Sequence, residues 1–70
     1  MILYRYYTRF RPPMPGAVPR DGLKAIDDYG TRLEVQGIKA WGSADYTRPL
    51  TEEEIDHYEL ASAIGNPIDI

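Results

Sequence analysis

The sequence predicts a small α+β domain, with three or four mostly antiparallel strands packing one face on a short helix near the C-terminal end. Three observations point there. Residues 1–10, MILYRYYTRF, are rich in aromatic and β-branched side chains and contain no glycine or proline. Residues 31–36 set Thr31, Leu33 and Val35 against Arg32, Glu34 and Gln36, the two-residue period of a strand. Residues 49–60, PLTEEEIDHYEL, carry the start signals of a helix.

In the first strand, alternation puts Ile2, Tyr4, Tyr6, Thr8 and Phe10 on a core face. Leu3, Arg5, Tyr7, Arg9 and Arg11 fall on a solvent face. RPPMPGAVPRDG then brings four prolines and two glycines. Proline gives a ladder no donor and holds its predecessor extended, so this segment reads as a polyproline-like loop. It is expected to fold back over the sheet with Met14 filling a gap; a proline-rich ligand for an SH3-type groove is the other reading. Further strands are expected near 23–29, 31–36 and 39–47, with turns at Tyr29-Gly30 and Gln36-Gly37. Gly42, inside the last of these, suggests a bulge or a ring lying over the backbone.

The helix is expected at about 51–59. Thr51 is placed as N-cap, Glu54 completes a capping box, and Leu50 and Ile55 form a hydrophobic staple. Glu52, Glu53 and Glu54 then suit the positive end of the helix dipole, so the acidic run calls for no ligand. Ile55 and Tyr58 share the buried stripe. The domain is expected to span 1–60, with 61–70 as a loosely held tail. Its expected core is Tyr4, Tyr6, Phe10, Ile26, Leu33, Val35, Trp41, Tyr46, Leu50, Ile55 and Tyr58.

Seventy residues hold one domain, and a chain this short buries only about 60% of its unfolded surface. It has no cysteine, which closes the disulfide and thiolate-zinc routes to extra stability. The net charge is −3, but unevenly spread. Residues 1–24 carry five bases against one acid, and residues 25–70 carry three against ten. Such a split builds either a two-faced surface or two segments that attract each other within the fold. No stretch approaches the roughly 18 apolar residues of a membrane span, and no secretory pattern opens the chain. Cytoplasmic residence without membrane contact is therefore the expectation.

Catalysis has little material. A nucleophile–base–acid set would need His57, the single histidine, to meet Ser43 with Asp45 behind it. No spacing suggests that meeting, and no enzyme activity or cofactor is expected. Glu53 and His57 share a helix face, but a zinc site needs three or four ligands. Asp27 and Asp28 point to opposite faces of a strand, so no metal site is expected either.

YRYYTRFRPP, residues 4–13, places three arginines and four aromatics together. Arg5, Tyr7, Arg9 and Arg11 form the candidate contact row. Tyrosine and arginine dominate protein interfaces, so a protein partner is the leading expectation. A single-stranded nucleic-acid platform is the alternative, since bases stack on rings while arginines hold phosphates; a sequence pI near 4.9 weighs against it. The same arginines could instead pair with acids inside the fold. Self-association through an open edge of the first strand is a variant of the protein-binding reading.

Tyr6, Tyr7, Arg11, Pro12, Pro13, Pro15 and Gly16, followed by Trp41, Gly42, Tyr46, Pro49, Leu50, Glu53, Tyr58, Glu59 and Leu60, make a pattern covering about half the chain. It resembles a family of small bacterial and phage proteins of mobile elements, some labelled as related to defence against restriction. The middle, LKAIDDYGTRLEV, matches that pattern poorly. The resemblance implies an accessory or anti-defence factor of a phage or mobile element and brings no catalytic residue with it.

Overall fold

The computed structural model describes residues 1–14 and 16–69; Pro15 of the proline-rich loop and Ile70 of the expected tail lie outside the described residues. In chain order the elements are β1 (Ile2–Thr8), β2 (Leu23–Val35), β3 (Ile38–Tyr46), α1 (Glu52–His57), β4 (Leu60–Ser62) and β5 (Ile68–Asp69). The strands make one antiparallel sheet in the order β2-β3-β1-β4, with β5 also paired to β1. The α+β class is as the sequence predicts, with five strands and a minor helix.

β1 sits in the interior of the sheet. On one side Tyr4 to Thr8 pair with Tyr46 to Gly42 of β3. On the other, Tyr6 to Thr8 pair with β4 and Ile2 and Leu3 pair with β5. Between β4 and β5 the ladder lacks a strand residue opposite Arg5, and the Asn66 side-chain amide fills the place. The Arg5 N–H donates to Asn66 Oδ1 at 2.9 Å, and Asn66 Nδ2 donates back to the Arg5 carbonyl at 2.8 Å. That carbonyl also accepts from the Ala63 N–H at 3.0 Å. Residues 61–69, expected as a loosely held tail, are thus tied into the sheet. β1 is thus an interior strand of the sheet, where the self-association variant assumes an edge strand.

Consecutive side chains of a strand face opposite ways, so Tyr6 and Tyr7 enter different cores. Tyr6 packs with Val18, Ala44, Tyr46, Leu50 and Leu60, and Tyr4, Leu23, Ile26, Ile55 and Tyr58 lie against that cluster. Tyr7 packs with Ala40 and Ala63, flanked by Tyr29, Val35 and Ile38. Leu3 and Tyr7, placed on a solvent face by alternation, are therefore buried, because the sheet is covered on both sides. Phe10 and Leu33 depart from the expected core at 55% and 45% exposure. β1 ends at Thr8, so its alternation never reaches Phe10, and Leu33 lies on the outermost strand beyond an irregularity. Trp41 is half-buried.

That irregularity replaces the expected turn at Tyr29-Gly30. Asp28 accepts the Gly30 N–H at 2.9 Å, Gly30 takes φ 71°, and the register slips between Asp28 and Leu33. β3 is long enough to pair with both halves in succession, so the local turn chemistry makes a bulge within one strand. The turn at Gln36-Gly37 forms as expected, with φ 52° and 76° and Val35 paired with Ile38.

The proline-rich loop folds back over the sheet as expected, but different residues anchor it. Met14 is exposed, and Val18 fills the core in its place. The Pro13 ring lies on Gly42, where any Cβ would meet that ring and the Asp27 carbonyl. The Tyr46 hydroxyl donates to the Pro19 carbonyl at 2.5 Å, inside the protein. Across the same cluster the Tyr6 hydroxyl accepts the Leu50 N–H at 2.9 Å and fixes the entry to α1.

α1 begins as the sequence predicts. Thr51 Oγ1 accepts the Glu54 N–H at 3.2 Å, and Glu54 Oε1 accepts the Thr51 N–H at 3.1 Å. Glu54 also accepts from Nη1 and Nη2 of Arg48, each at 2.8 Å, while Arg48 Nε donates to the Asp21 carbonyl at 3.0 Å. The hydrogen bonds from Arg48 hold the Glu54 carboxyl at about 2, well below its ordinary 4.5.

Three outcomes follow. Gly42→Ala destabilises the domain by on the order of 1–3 kcal/mol, seen in urea unfolding, because neither Pro13 nor the Asp27 backbone has room to yield. Thr51→Ala costs about 1 kcal/mol and lowers the melting temperature by about 5 °C. The contribution of Glu54 is complete above pH 5, where its carboxyl is ionised in both states. It is lost as pH falls from there towards 2, since only the unfolded chain takes up the proton readily. Unfolding midpoints measured from pH 6 to pH 2.5 therefore fall less steeply in Glu54→Gln than in the parent.

Candidate functional site

The structure divides the candidate row. Arg5 lies beside Asp45, its cross-strand neighbour, with Nε to Oδ1 at 2.8 Å and Nη2 to Oδ2 at 3.0 Å. The hydrogen bond to Asp45 raises the guanidinium pKa further. Tyr7 is 4% exposed, and burial pushes its phenol upward from the ordinary value. Arg11 reaches Glu59 at 2.5 Å, between α1 and β4. Of the three arginines in the row, Arg9 alone makes no ion pair among the described residues; its guanidinium lies 4.9 Å from the centre of the Phe10 ring. The charge asymmetry of the sequence thus resolves partly within the fold, where Arg5 and Arg11 meet acids of the later segment.

Arg9 stands at the rim of a groove of about 350 Å³ lined by Arg9, Phe10, Arg32, Gly37, Ile38, Lys39 and Ala61. Three elements build it. The chain leaves the sheet after Thr8 and turns Arg9 and Phe10 outward; the β2–β3 hairpin brings Arg32, Ile38 and Lys39; β4 contributes Ala61. The result is an apolar floor of Phe10, Ile38 and Ala61 with three cations around it. Arg32 and Lys39 make no ion pair among the described residues, although Glu34 stands opposite Lys39 in the register. These two cations were not singled out from the sequence. The signal for their proximity was the Gln36-Gly37 turn, which folds residues 32–35 onto 38–40. Their nearness to Arg9 depends on β1 pairing with β3, more than thirty positions away.

The other candidate constellations do not assemble. Ser43 pairs with Tyr7 on one face of the sheet, while α1 packs Ile55 and Tyr58 against the cluster on the other face. Ser43 and His57 are therefore on opposite sides, and Asp45 is taken by Arg5. The His57 ring lies edge-on to Tyr58, 4.9 Å between centres. Glu53 and His57 line a second shallow depression with Thr51, Glu54 and Tyr58. Among the described residues no three His, Asp or Glu side chains gather as a metal site would need. No helix among them is long and apolar enough to cross a membrane.

Arg5 and Arg9 should separate cleanly in unfolding experiments. Arg5→Ala leaves Asp45 half-buried without its partner and costs about 1 kcal/mol. Arg9→Ala, at an exposed and unpaired position, stays within about 0.5 kcal/mol of the parent. Urea unfolding of the two variants checks both values.

No curated protein and no solved structure matches the chain. A family match does exist, and it spans residues 1–64: the full run from β1 through β4, including every residue that lines the groove. On that match the chain belongs to the family described as Defence against restriction A C-terminal.

Proposed function

We propose that this domain is a non-catalytic protein-interaction module that serves defence against restriction, as an accessory factor of a phage or mobile element, and that its contact surface is the groove at Arg9. One observation carries the reading. Among the described residues Arg9, Arg32 and Lys39 line a groove with an exposed aromatic ring and make no ion pair, while Arg5, Arg11 and Arg48 are all engaged by carboxylates. An exposed apolar patch rimmed by polar groups marks a contact site, and arginine with an aromatic neighbour is the usual core of an interface hot spot.

The same exposed Phe10 favours a second reading, in which one base of a single strand stacks on the ring and the cations hold phosphates. The net charge of −3 repels a polyanion at longer range and leaves protein binding ahead.

The test is capture of partners from host extract by the parent and by Arg9→Ala with Arg32→Ala, each shown to be folded by its melting curve. Partners recovered by the parent and lost by the variant are the expected result. Equal recovery by both removes the groove from the function. Fluorescence anisotropy with a short oligothymidylate at two salt concentrations tests the second reading. Affinity that falls steeply with salt supports nucleic-acid binding, because each phosphate contact releases counterions.

A further inference from the structure

The groove coincides with an interruption in the sheet. β3 is paired with β1 only from Gly42 to Tyr46. Beyond Gly42 the chain of β1 bends away, and Arg9 and Phe10 do not continue the ladder. In the same register, residues 9–12 would have covered residues 38–41. Instead Ile38 and Lys39 are paired with Val35 and Glu34 of β2 on one side only, while Ala40 beside them is fully buried against Tyr7 and Ala63. Among the described residues no loop or side chain hydrogen-bonds to the other side of this short edge. The groove lies over it, lined by Ile38 and Lys39 themselves.

We infer that this notch is a strand-addition site, which takes a short extended segment of a partner protein bearing carboxylates around one bulky apolar side chain. The inference rests on the protein-binding reading above and specifies its chemistry. An uncovered strand edge is completed by backbone hydrogen bonds from an incoming extended chain, and side-chain pockets beside it set the specificity. Here the charged walls are Arg9, Arg32 and Lys39, which call for carboxylates. The apolar floor of Phe10, Ile38 and Ala61 calls for one large aliphatic or aromatic anchor. A helix would leave the edge of Ile38 and Lys39 unpaired. A nucleic-acid strand would find one ring only, on a domain whose net charge opposes it.

The probe is a labelled seven-residue peptide that alternates glutamate and threonine around a central leucine, titrated into the isotopically labelled domain. Binding is read from amide NMR shifts and from anisotropy. Three comparators accompany it: the same peptide with lysine for glutamate, one with N-methylated backbone, and oligothymidylate. The glutamate peptide is expected to shift amide signals at 37–40 and at Arg9 and Phe10. Arg32→Ala with Lys39→Ala weakens it at least about tenfold with no loss of fold, since both side chains are exposed and unpaired. N-methylation abolishes the shifts at 38–40, and the lysine peptide does not bind.

Equal binding by the lysine or N-methylated peptide overturns the inference, as does the absence of any shift at millimolar glutamate peptide. Oligothymidylate moving the same signals while the peptide moves none overturns it in favour of nucleic acid. If Arg9-dependent capture of a host protein persists while the peptide fails, strand addition falls and protein binding stands. If Arg9-dependent capture is absent as well, both fall together.

Discussion

Every side of β1 is occupied, and the remaining elements are arranged to occupy it. Its two edges need three strands and one amide side chain, and its two faces need two separate clusters. A strand that carries Tyr4, Tyr6 and Tyr7 within four positions has too much aromatic surface for one face to bury. The domain responds by covering both. The tyrosines also bring hydroxyls inside, and these are used as ties. Tyr6 holds the start of the helix and its neighbour in the core, Tyr46, holds the proline-rich loop. Their rings meet edge to face at 5.9 Å, so loop, helix and sheet converge on one aromatic pair.

The same arrangement decides which charges remain for function. Arg5 is locked beside Asp45 by the β1–β3 register, and Arg11 reaches Glu59 between α1 and β4. Arg48 joins Asp21 to the helix cap. Among the described residues Arg9, Arg32 and Lys39, which make no ion pair, lie where the ladder stops, on the segment that leaves β1 and on the β2–β3 hairpin. A patch of that origin is a by-product of strand lengths that do not match: β3 is longer than the part of β1 that pairs with it.

Features set by neighbouring residues were legible in the sequence. The capping box at Thr51 and Glu54 and the Gln36-Gly37 turn follow from backbone chemistry within four positions, and both formed as read. Gly42 announced a close neighbour, but that the neighbour is the Pro13 ring depends on where the loop returns. Alternation along β1 was read with one face buried, and covering the second face is a property of the whole sheet. The bulge at Gly30 shows the limit most plainly, since identical local chemistry makes a reversal or a bulge according to the length of the strand beside it. The candidate row failed as a row for the same reason. Arg5, Tyr7, Arg9 and Arg11 share a parity, yet their surroundings are set by β3, β4 and the end of the helix.

The position of Asn66 also bears on the order in which the molecule is put together. Its amide completes the backbone of Arg5 from 61 positions away. β1 precedes every one of its partners along the chain, so during synthesis it emerges first and waits for all of them. Contacts so distant in sequence require large loops to close before they return any stability, which places the domain among slow folders for its size. Over that interval a strand rich in tyrosine, with both edges bare, is the segment most open to mispairing with other nascent chains. The first strand made is the last one finished.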